Sequence, residues 1–321
     1  IVTANYHNSS ISVLLGDGRG AFQSAINTDV GSGPAALFVF DINGDYLDDV
    51  VVSNSQGVTS ILISDRDGSF KKSQTITGYI SAVGDFDRDH RLDLFGAFGN
   101  WPSSWHNAVL RNNGTGIFDE ITAWRRSEQV LERGTAGDFN ADGKLDVLAV
   151  IPRSKGAVVF LSGNGDGTFG APRDHSLADS AEGQFSQTAH FSIGSDDAVV
   201  STGATLTLLS GGPLGPDTRS EQFFMRFGRA GLELVNQLAF SDLDGDGRDD
   251  VVLPDPTNDK IKILLTKEDA GDFEFASVPV GNRPVAAVIA DFNEDGKKDV
   301  AVANFGSNSV SVLLDGDQFN L

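Results

Sequence analysis

The strongest constraint in the sequence is a nine-residue pattern that recurs five times, with Asp or Asn at positions 1, 3 and 5 and Asp at position 9. These stretches, called the acidic loops below, are 41–49 (DINGDYLDD), 85–93 (DFDRDHRLD), 138–146 (DFNADGKLD), 242–250 (DLDGDGRDD) and 291–299 (DFNEDGKKD). Calcium takes six to eight oxygen ligands, and short carboxylate and amide side chains at alternate positions can surround one ion. Solvated hairpin turns are the alternative interpretation, but five copies in one register favour metal loops.

Each acidic loop is predicted to bind one calcium ion through the side chains at positions 1, 3, 5 and 9 and the backbone carbonyl at position 7. The predicted ligands are Asp41, Asn43, Asp45, Leu47 and Asp49; Asp85, Asp87, Asp89, Arg91 and Asp93; Asp138, Asn140, Asp142, Lys144 and Asp146; Asp242, Asp244, Asp246, Arg248 and Asp250; and Asp291, Asn293, Asp295, Lys297 and Asp299.

The loops depart in two ways from a standard helix–loop–helix calcium site. Tyr46 and His90 stand at position 6, where the sharp turn favours glycine, so backbone strain is expected in the first two loops. A helix–loop–helix calcium site also needs glutamate at position 12, where the third loop has Ala149 within an apolar run. A strand, and not a helix, is therefore predicted after the loop.

The spacing of the loops predicts one repeat architecture over residues 1–321. The first acids lie at 41, 85, 138, 242 and 291, and a degenerate copy (SIGSDDAVV, 192–200) divides the long gap. Repeats in the forties to fifties with several short strands each are typical of propeller blades. In the last unit, the apolar run PVAAVIA predicts an inner strand before the loop, and DVAVANF predicts the next strand after it.

These motifs resemble the FG-GAP/VCBS repeat family, the calcium-binding propeller also found in integrin α-subunit heads. The resemblance rests on the acidic loops, on GNGDGTFG (163–170) and on GNRPVAAV (281–288), and it spans essentially the whole chain. It implies an all-β, seven-bladed propeller of four-stranded antiparallel blades, with about five structural calcium ions between the first two strands of the blades. Because IVTANYHNSSISVLL matches only the second part of a unit, the first blade is expected to lack its inner strand here. Six blades plus a terminal extension is the alternative.

Composition limits the partners and the setting. The formal net charge of −21 argues against nucleic acid and anionic membranes as partners, and no apolar run is long enough to insert into a bilayer. The lack of cysteine excludes disulfides and thiol catalysis. Calcium sites of modest affinity fill outside cells, so a secreted or cell-surface location is expected. Two glycosylation sequons (8–10 and 113–115) fit that setting, and Ile1 falls in mid-repeat, as in a processed or trimmed piece.

A second candidate site lies in irregular insertions predicted at the end of the blades opposite the calcium loops. Trp and Arg are common binding anchors, and aromatic faces stack on sugar rings. The residues predicted to contact a glycan or a protein ligand are Trp101, Trp105, His106, Trp124, Arg125 and Arg126. The alternative is that these tryptophans fill gaps between blades.

Three functions remain open from the sequence. No GxSxG, HExxH or GxxxxGK[ST] motif occurs, and no catalytic residue is assigned, which favours a non-enzymatic extracellular recognition or adhesion module. A polysaccharide-active enzyme, lyase-like or dehydratase-like, is the second possibility, and a structural spacer within a larger surface protein is the third. Fold alone does not choose among them.

Overall fold

A computed structural model describes residues 1–99, 105–124, 131, 133–150, 157–176, 183–189, 196–202, 205–209, 238–266 and 273–314. These residues form antiparallel sheets, with a single helical turn, the 3-10 helix Tyr6–Asn8. The chain divides into two compact units. The first comprises Ile1–Leu15, Gln23–Asp138 and Asp142–Ser176, and the second comprises Gly16–Phe22, Phe139–Ala141 and Leu177–Leu321. The predicted all-β class is confirmed for the described residues.

The first unit contains one three-stranded, one seven-stranded and one four-stranded sheet. Their strands are β1 (Val2–Asn5), β2 (Ser10–Val13), β3 (Ile26–Asp29); β4 (Pro34–Phe40), β5 (Asp49–Asn54), β6 (Val58–Ser64), β7 (Phe70–Gly84), β8 (Asp93–Phe98), β9 (His106–Asn112), β10 (Phe118–Trp124); and β11 (Arg133–Gly137), β12 (Asp146–Val150), β13 (Ala157–Leu161), β14 (Arg173–Ser176). In the large sheet, β7 pairs with β6 through its first half and with β8 through its second half. One continuous strand thus joins two four-stranded repeats.

The second unit contains three further antiparallel sheets of three, four and three strands. Their strands are β15 (Gly183–Ala189), β16 (Asp197–Thr202), β17 (Thr205–Leu209); β18 (Ala239–Ser241), β19 (Asp250–Asp255), β20 (Lys260–Thr266), β21 (Phe273–Pro279); and β22 (Pro284–Ala290), β23 (Asp299–Asn304), β24 (Ser309–Leu313). The order within each sheet follows the chain, so every neighbouring pair is joined by a simple reversal of direction.

Apolar side chains pack neighbouring repeats together within each unit. Val50 and Val52 of β5 pack in one cluster with Ile11 of β2, whereas Val51 of the same strand packs in another with Leu94 of β8. Both faces of β5 are therefore covered, which explains why its sequence is a continuous apolar run and does not alternate with polar residues. Full burial of each such side chain contributes about 1.5–3 kcal/mol.

Candidate functional site

Every acidic loop connects an inner strand to the next strand of the same sheet. The loops join β4 to β5, β7 to β8, β11 to β12, β18 to β19 and β22 to β23. Position 9 of each loop is the first residue of the strand that follows, and that strand ends at the opposite end of the sheet. After β5, β19 and β23 the chain leaves the strand through a turn (55–57, 256–259 and 305–308). The prediction of a strand after the loop is confirmed. We call the two ends of a sheet the loop end and the turn end.

The aspartate at position 1 folds the loop around its own carboxylate. In the first loop, the Asp41 Oδ1 atom accepts hydrogen bonds from the backbone N–H groups of Gly44 (2.8 Å) and Asp45 (3.2 Å), and Oδ2 accepts one from Tyr46 (2.8 Å). The bond from position 6 recurs in the other four loops, at 2.8–2.9 Å. These bonds draw the backbone into a tight turn and leave lone pairs on the carboxylate oxygens for a cation.

Position 6 has the left-handed backbone that glycine favours. Tyr46 and His90 have φ angles of 67° and 69°, close to the 77° of Gly143 at the same position. The left-handed backbone expected at this position is confirmed. Because such angles are costly for residues with a Cβ atom, the strain at Tyr46 and His90 stays a prediction.

Position 4 is left-handed as well, and the sequence analysis missed it. Arg88 and Glu294 have φ angles of 65° and 60° there, and Gly44 and Gly245 have 80° and 81°. The two glycines are the signal that could have revealed this turn.

The aspartate at position 9 ties the loop to its sheet. Asp49 Oδ2 accepts a hydrogen bond from the backbone N–H of Ile42 (2.9 Å), and Oδ1 accepts one from Ser64 (2.7 Å) on the third strand of the repeat. Asp93 and Asp250 make the same pair of bonds in their own repeats. All five position-9 aspartates are fully buried. The sequence analysis predicted these aspartates only as ligands, whereas Asp49, Asp93 and Asp250 also connect the loop to the third strand.

In two of the acidic loops, three carboxylates converge as a calcium site requires. Carboxylate oxygens of Asp85, Asp87 and Asp89 lie within 4.8 Å of one another, and those of Asp242, Asp244 and Asp250 do the same. In the other three loops an asparagine takes position 3, so an amide oxygen replaces one carboxylate. Clustered hard oxygen donors without sulfur or nitrogen suit calcium. The residues therefore fit the predicted ion, and the carbonyl ligands at position 7 remain a prediction.

Burial and charge repulsion raise the pKa values of two position-9 carboxyls to about 6. Burial raises the pKa of Asp93 to about 6, and repulsion from Asp87 and Asp89 adds to it, while backbone hydrogen bonds act in the opposite direction. Burial likewise raises the pKa of Asp250 to about 6, with repulsion from its own loop acids. A divalent cation among these carboxylates would stabilise their charged forms.

Part of the predicted ligand surface lies in described residues, at the turn end of the first unit. Trp105 immediately precedes β9, His106 is the first residue of β9, and Trp124 ends β10 opposite Asn107. Trp101, Arg125 and Arg126 lie outside the described residues. His106 Nε2 is 3.0 Å from Glu120 Oε2.

The structure adds two aromatic residues to Trp105. The rings of Tyr79 and Trp105 meet edge to face, with centroids 5.5 Å apart. Tyr79 donates a hydrogen bond to the Ser55 carbonyl oxygen (3.3 Å). Ser55 and the ring of Tyr6 both lie against Gly33, where an added Cβ would be 3.2 Å from Tyr6 Cε2. We call Tyr6, Tyr79 and Trp105 the turn-end aromatic run; the sequence analysis had missed its two tyrosines because they stand in regular repeats and not in insertions.

Comparison with protein families identifies the repeat. The FG-GAP-like repeat matches residues 41–96, 85–149 and 242–302, which together make up more than half of the chain. The chain belongs to the FG-GAP-like repeat family. The resemblance found in the sequence is thereby confirmed. The comparison with curated proteins gave no match.

Solved structures resemble this FG-GAP-like chain over nearly its full length. An Agrocybe aegerita lectin that recognises non-reducing terminal N-acetylglucosamine is 17% identical, with a TM-score of 0.56 over 97% of this chain and 89% of the lectin. A candidate 6-phosphogluconolactonase from Bacteroides uniformis is 15% identical, with a TM-score of 0.66 over 100% and 93% of the two chains. BBS1N, solved in complex with ARL6DN, is 9% identical, with a TM-score of 0.62 over 100% and 93%. At these identities the likeness shows the fold alone.

The described residues contain no helix long and apolar enough to cross a membrane.

Proposed function

We propose that this FG-GAP-like chain is a seven-bladed propeller, stabilised by calcium, that binds a glycan or an extracellular protein ligand at the turn end of its sheets. Dividing the seven-stranded sheet at β7 gives seven strand groups in the described residues, which supports seven blades over six with a terminal extension. The first group has three strands and begins with the equivalent of a second strand, as expected for a blade without its inner strand.

Calcium acts structurally in this proposal. Each acidic loop joins two paired strands, and in three of the loops the position-9 aspartate also accepts a backbone hydrogen bond from the third strand. These bonds favour a structural role for the ion over a switching one. At a calcium concentration a hundred times the dissociation constant, each site would contribute about 2.7 kcal/mol to folding. Sites of that affinity fill outside cells, which supports an extracellular location.

The observation that carries the recognition role is the turn-end aromatic run. Tyr6 is 48% exposed, and Tyr79 and Trp105 are partly buried against each other, so their rings present fixed apolar surface beside polar groups. Aromatic rings with a few nearby hydrogen-bonding groups suit the apolar faces and hydroxyls of sugars, and they equally suit a protein surface. The hydrogen-bonding groups here are the His106 and Glu120 side chains.

Two solved structures of the same fold support the two proposed ligand classes, a glycan and a protein. The lectin is described by its recognition of a terminal sugar, and BBS1N by its complex with a protein. A non-enzymatic binding role fits both. No specific contact among the described residues favours the enzyme or the spacer alternative.

Glycan and extracellular-protein arrays, probed in millimolar calcium, test the recognition role. We expect Trp105→Ala and Tyr79→Ala to weaken binding at least tenfold, about 1.4 kcal/mol, as loss of an aromatic anchor does. Tyr46→Ala is the matched control, because this tyrosine is 95% exposed at the loop end. Variants at Tyr79 and Trp105 that melt like wild type and bind every array ligand equally would refute the proposal. Polysaccharide degradation in a parallel screen would favour the enzyme.

A further inference from the structure

Arg283 has a left-handed backbone at a place where another repeat has glycine. It stands immediately before the inner strand β22, as Gly33 stands immediately before the inner strand β4. The φ angles are 50° at Arg283 and 67° at Gly33. Their carbonyl oxygens accept equivalent hydrogen bonds, from the N–H of Phe305 (3.0 Å) and of Ser55 (2.8 Å). The last repeat therefore has an arginine where the backbone geometry favours glycine.

Hydrogen bonds hold the segment around this arginine in place. The Arg283 N–H donates to Asp259 Oδ1 (2.9 Å), in the turn before β20. The Asn282 N–H donates to Ser307 Oγ (3.1 Å), and the Asn282 carbonyl oxygen accepts from the Gly306 N–H (2.9 Å), both in the turn before β24. Two neighbouring turns thus fix the backbone from which the Arg283 side chain starts. Side chains that are positioned in advance lose less entropy when a ligand binds.

The Arg283 side chain lies over an exposed aromatic ring. Its guanidinium carbon is 5.2 Å from the centroid of the Phe305 ring, and Phe305 is 45% exposed. Arg283 is exposed as well, and it forms no ion pair among the described residues, although Asp and Glu outnumber Lys and Arg in this chain by 45 to 24. A guanidinium group can stack on an aromatic ring and also bind a carboxylate through two parallel hydrogen bonds.

Neutral polar residues flank this pair along the chain. Asn282, Ser307 and Asn308 are all exposed at the same turn end. Their amide and hydroxyl groups can donate hydrogen bonds to hydroxyls and accept bonds from them. An aromatic ring suits the apolar face of a sugar. Together these groups fit a ligand with one carboxylate, one apolar face and several hydroxyls.

We propose that Arg283 and Phe305 form a binding site for a sugar that carries a carboxylate, such as a uronic acid. The guanidinium group binds the carboxylate, the Phe305 ring packs against the apolar face of the sugar, and Asn282 and Asn308 bond to its hydroxyls. The site belongs to the second unit, whereas the turn-end aromatic run belongs to the first. It therefore goes beyond the ligand site proposed above and can be tested independently of it.

Isothermal titration calorimetry with cellobiuronic acid and cellobiose tests this site in the full 321-residue chain, in millimolar calcium. The two probes differ only in a carboxylate that replaces a hydroxymethyl group, so we expect the acid to bind more tightly by about tenfold or more. Arg283→Gly should remove this preference. It should not lower the melting temperature, because glycine suits the left-handed backbone, whereas loss of an arginine with a purely structural role would lower it.

Two further variants separate local binding from overall charge. Arg66→Ala removes the same charge from an exposed arginine in the turn after β6, in the first unit, and should bind both probes like wild type. Phe305→Ser introduces the residue found at the equivalent position, Ser55, and should weaken binding of the acid by about threefold or more.

Three results would overturn the acidic-sugar site. They are equal or absent binding of the two probes by the wild type, equal losses in Arg283→Gly and Arg66→Ala, and tighter Arg283-dependent binding of a hexaglutamate peptide than of cellobiuronic acid. The last result would assign the site to an acidic protein segment.

Discussion

Replacing one acid in an acidic loop should raise the stability of the calcium-free protein and reduce the additional stability that calcium provides. Asp244 is exposed, and its carboxylate lies within 4.8 Å of those of Asp242 and Asp250. Two unit charges at 4.8 Å repel by about 0.9 kcal/mol in water, so Asp244→Asn should remove about 1.7 kcal/mol of repulsion from the calcium-free protein. Burial of Asp250 lowers the effective dielectric constant and strengthens this repulsion, whereas the exposure of Asp244 to solvent and salt weakens it.

Asparagine should preserve the loop, because this chain already uses it at the same position. Asn43 Oδ1 accepts the backbone N–H of Asp45 at 2.9 Å, and Asn43 Nδ2 donates to the Asp45 carboxylate at 3.1 Å. Asn293 makes both bonds with Asp295. We therefore expect Asp244→Asn to raise the free energy of unfolding in chelator by about 1.5–2 kcal/mol, and to reduce the additional stability that calcium provides.

Urea denaturation at low ionic strength, in chelator and in millimolar calcium, measures both effects, since salt would screen the repulsion. Asn293→Asp is the reverse control: it should lower stability in chelator and increase the gain from calcium. If Asp244→Asn destabilises the calcium-free protein, or if both variants shift stability equally in the two buffers, charge repulsion in the loops does not explain the need for a cation.

Three further predictions concern the same loops. Chelation of the wild-type protein should lower the melting temperature by more than about 10 °C, because several sites of about 2.7 kcal/mol are lost and each kcal/mol corresponds to about 2–4 °C; an unchanged calorimetric melt would contradict structural calcium. Tyr46→Gly should raise the free energy of unfolding by about 0.5–1 kcal/mol, since relief of about 1–2 kcal/mol of left-handed strain exceeds the entropic cost of glycine; a lower urea midpoint would contradict the strain. In chelator, the pKa values of Asp93 and Asp250, raised to about 6, mean that the folded state binds more protons than the unfolded state between about pH 4 and about pH 6. The free energy of unfolding without calcium should therefore be greater near pH 5 than near pH 7.5. The Asp93→Asn variant, which has lost one of the two carboxyls, should show a smaller difference between these pH values. Equal pH dependence in the two proteins would contradict the raised pKa values.

Some features of the loops could be predicted because they depend on neighbours in sequence. The alternating oxygens, the turn at position 6 and the strand that follows all lie within nine residues of Asp41 and its counterparts. The left-handed turn at position 4 is equally local, but Arg88 and Glu294 conceal it, because a bonded loop can impose an angle that the side chain disfavours.

The second role of the position-9 aspartates could not be predicted in this way. Asp93 accepts a bond from the backbone of Asn112, 19 residues further on, and Asp250 one from Thr266, 16 residues further on. Backbone N–H groups carry no residue-specific signal, and only strand pairing brings them to the carboxylate. The turn-end aromatic run has the same origin. Tyr79 contacts Trp105 and bonds to Ser55, and Ser55 and Tyr6 both lie against Gly33, so residues far apart in the chain are brought together.

The amino-acid sequence by itself determined the family, the all-β class and the positions of the proposed cation loops, because short-range periodicity and oxygen spacing are properties of a local segment. The tertiary structure decided which carboxylates are buried, which backbone groups they bind and which aromatic rings contact each other. Those properties depend on the register and stacking of strands that lie far apart in the chain, and no local segment contains that information.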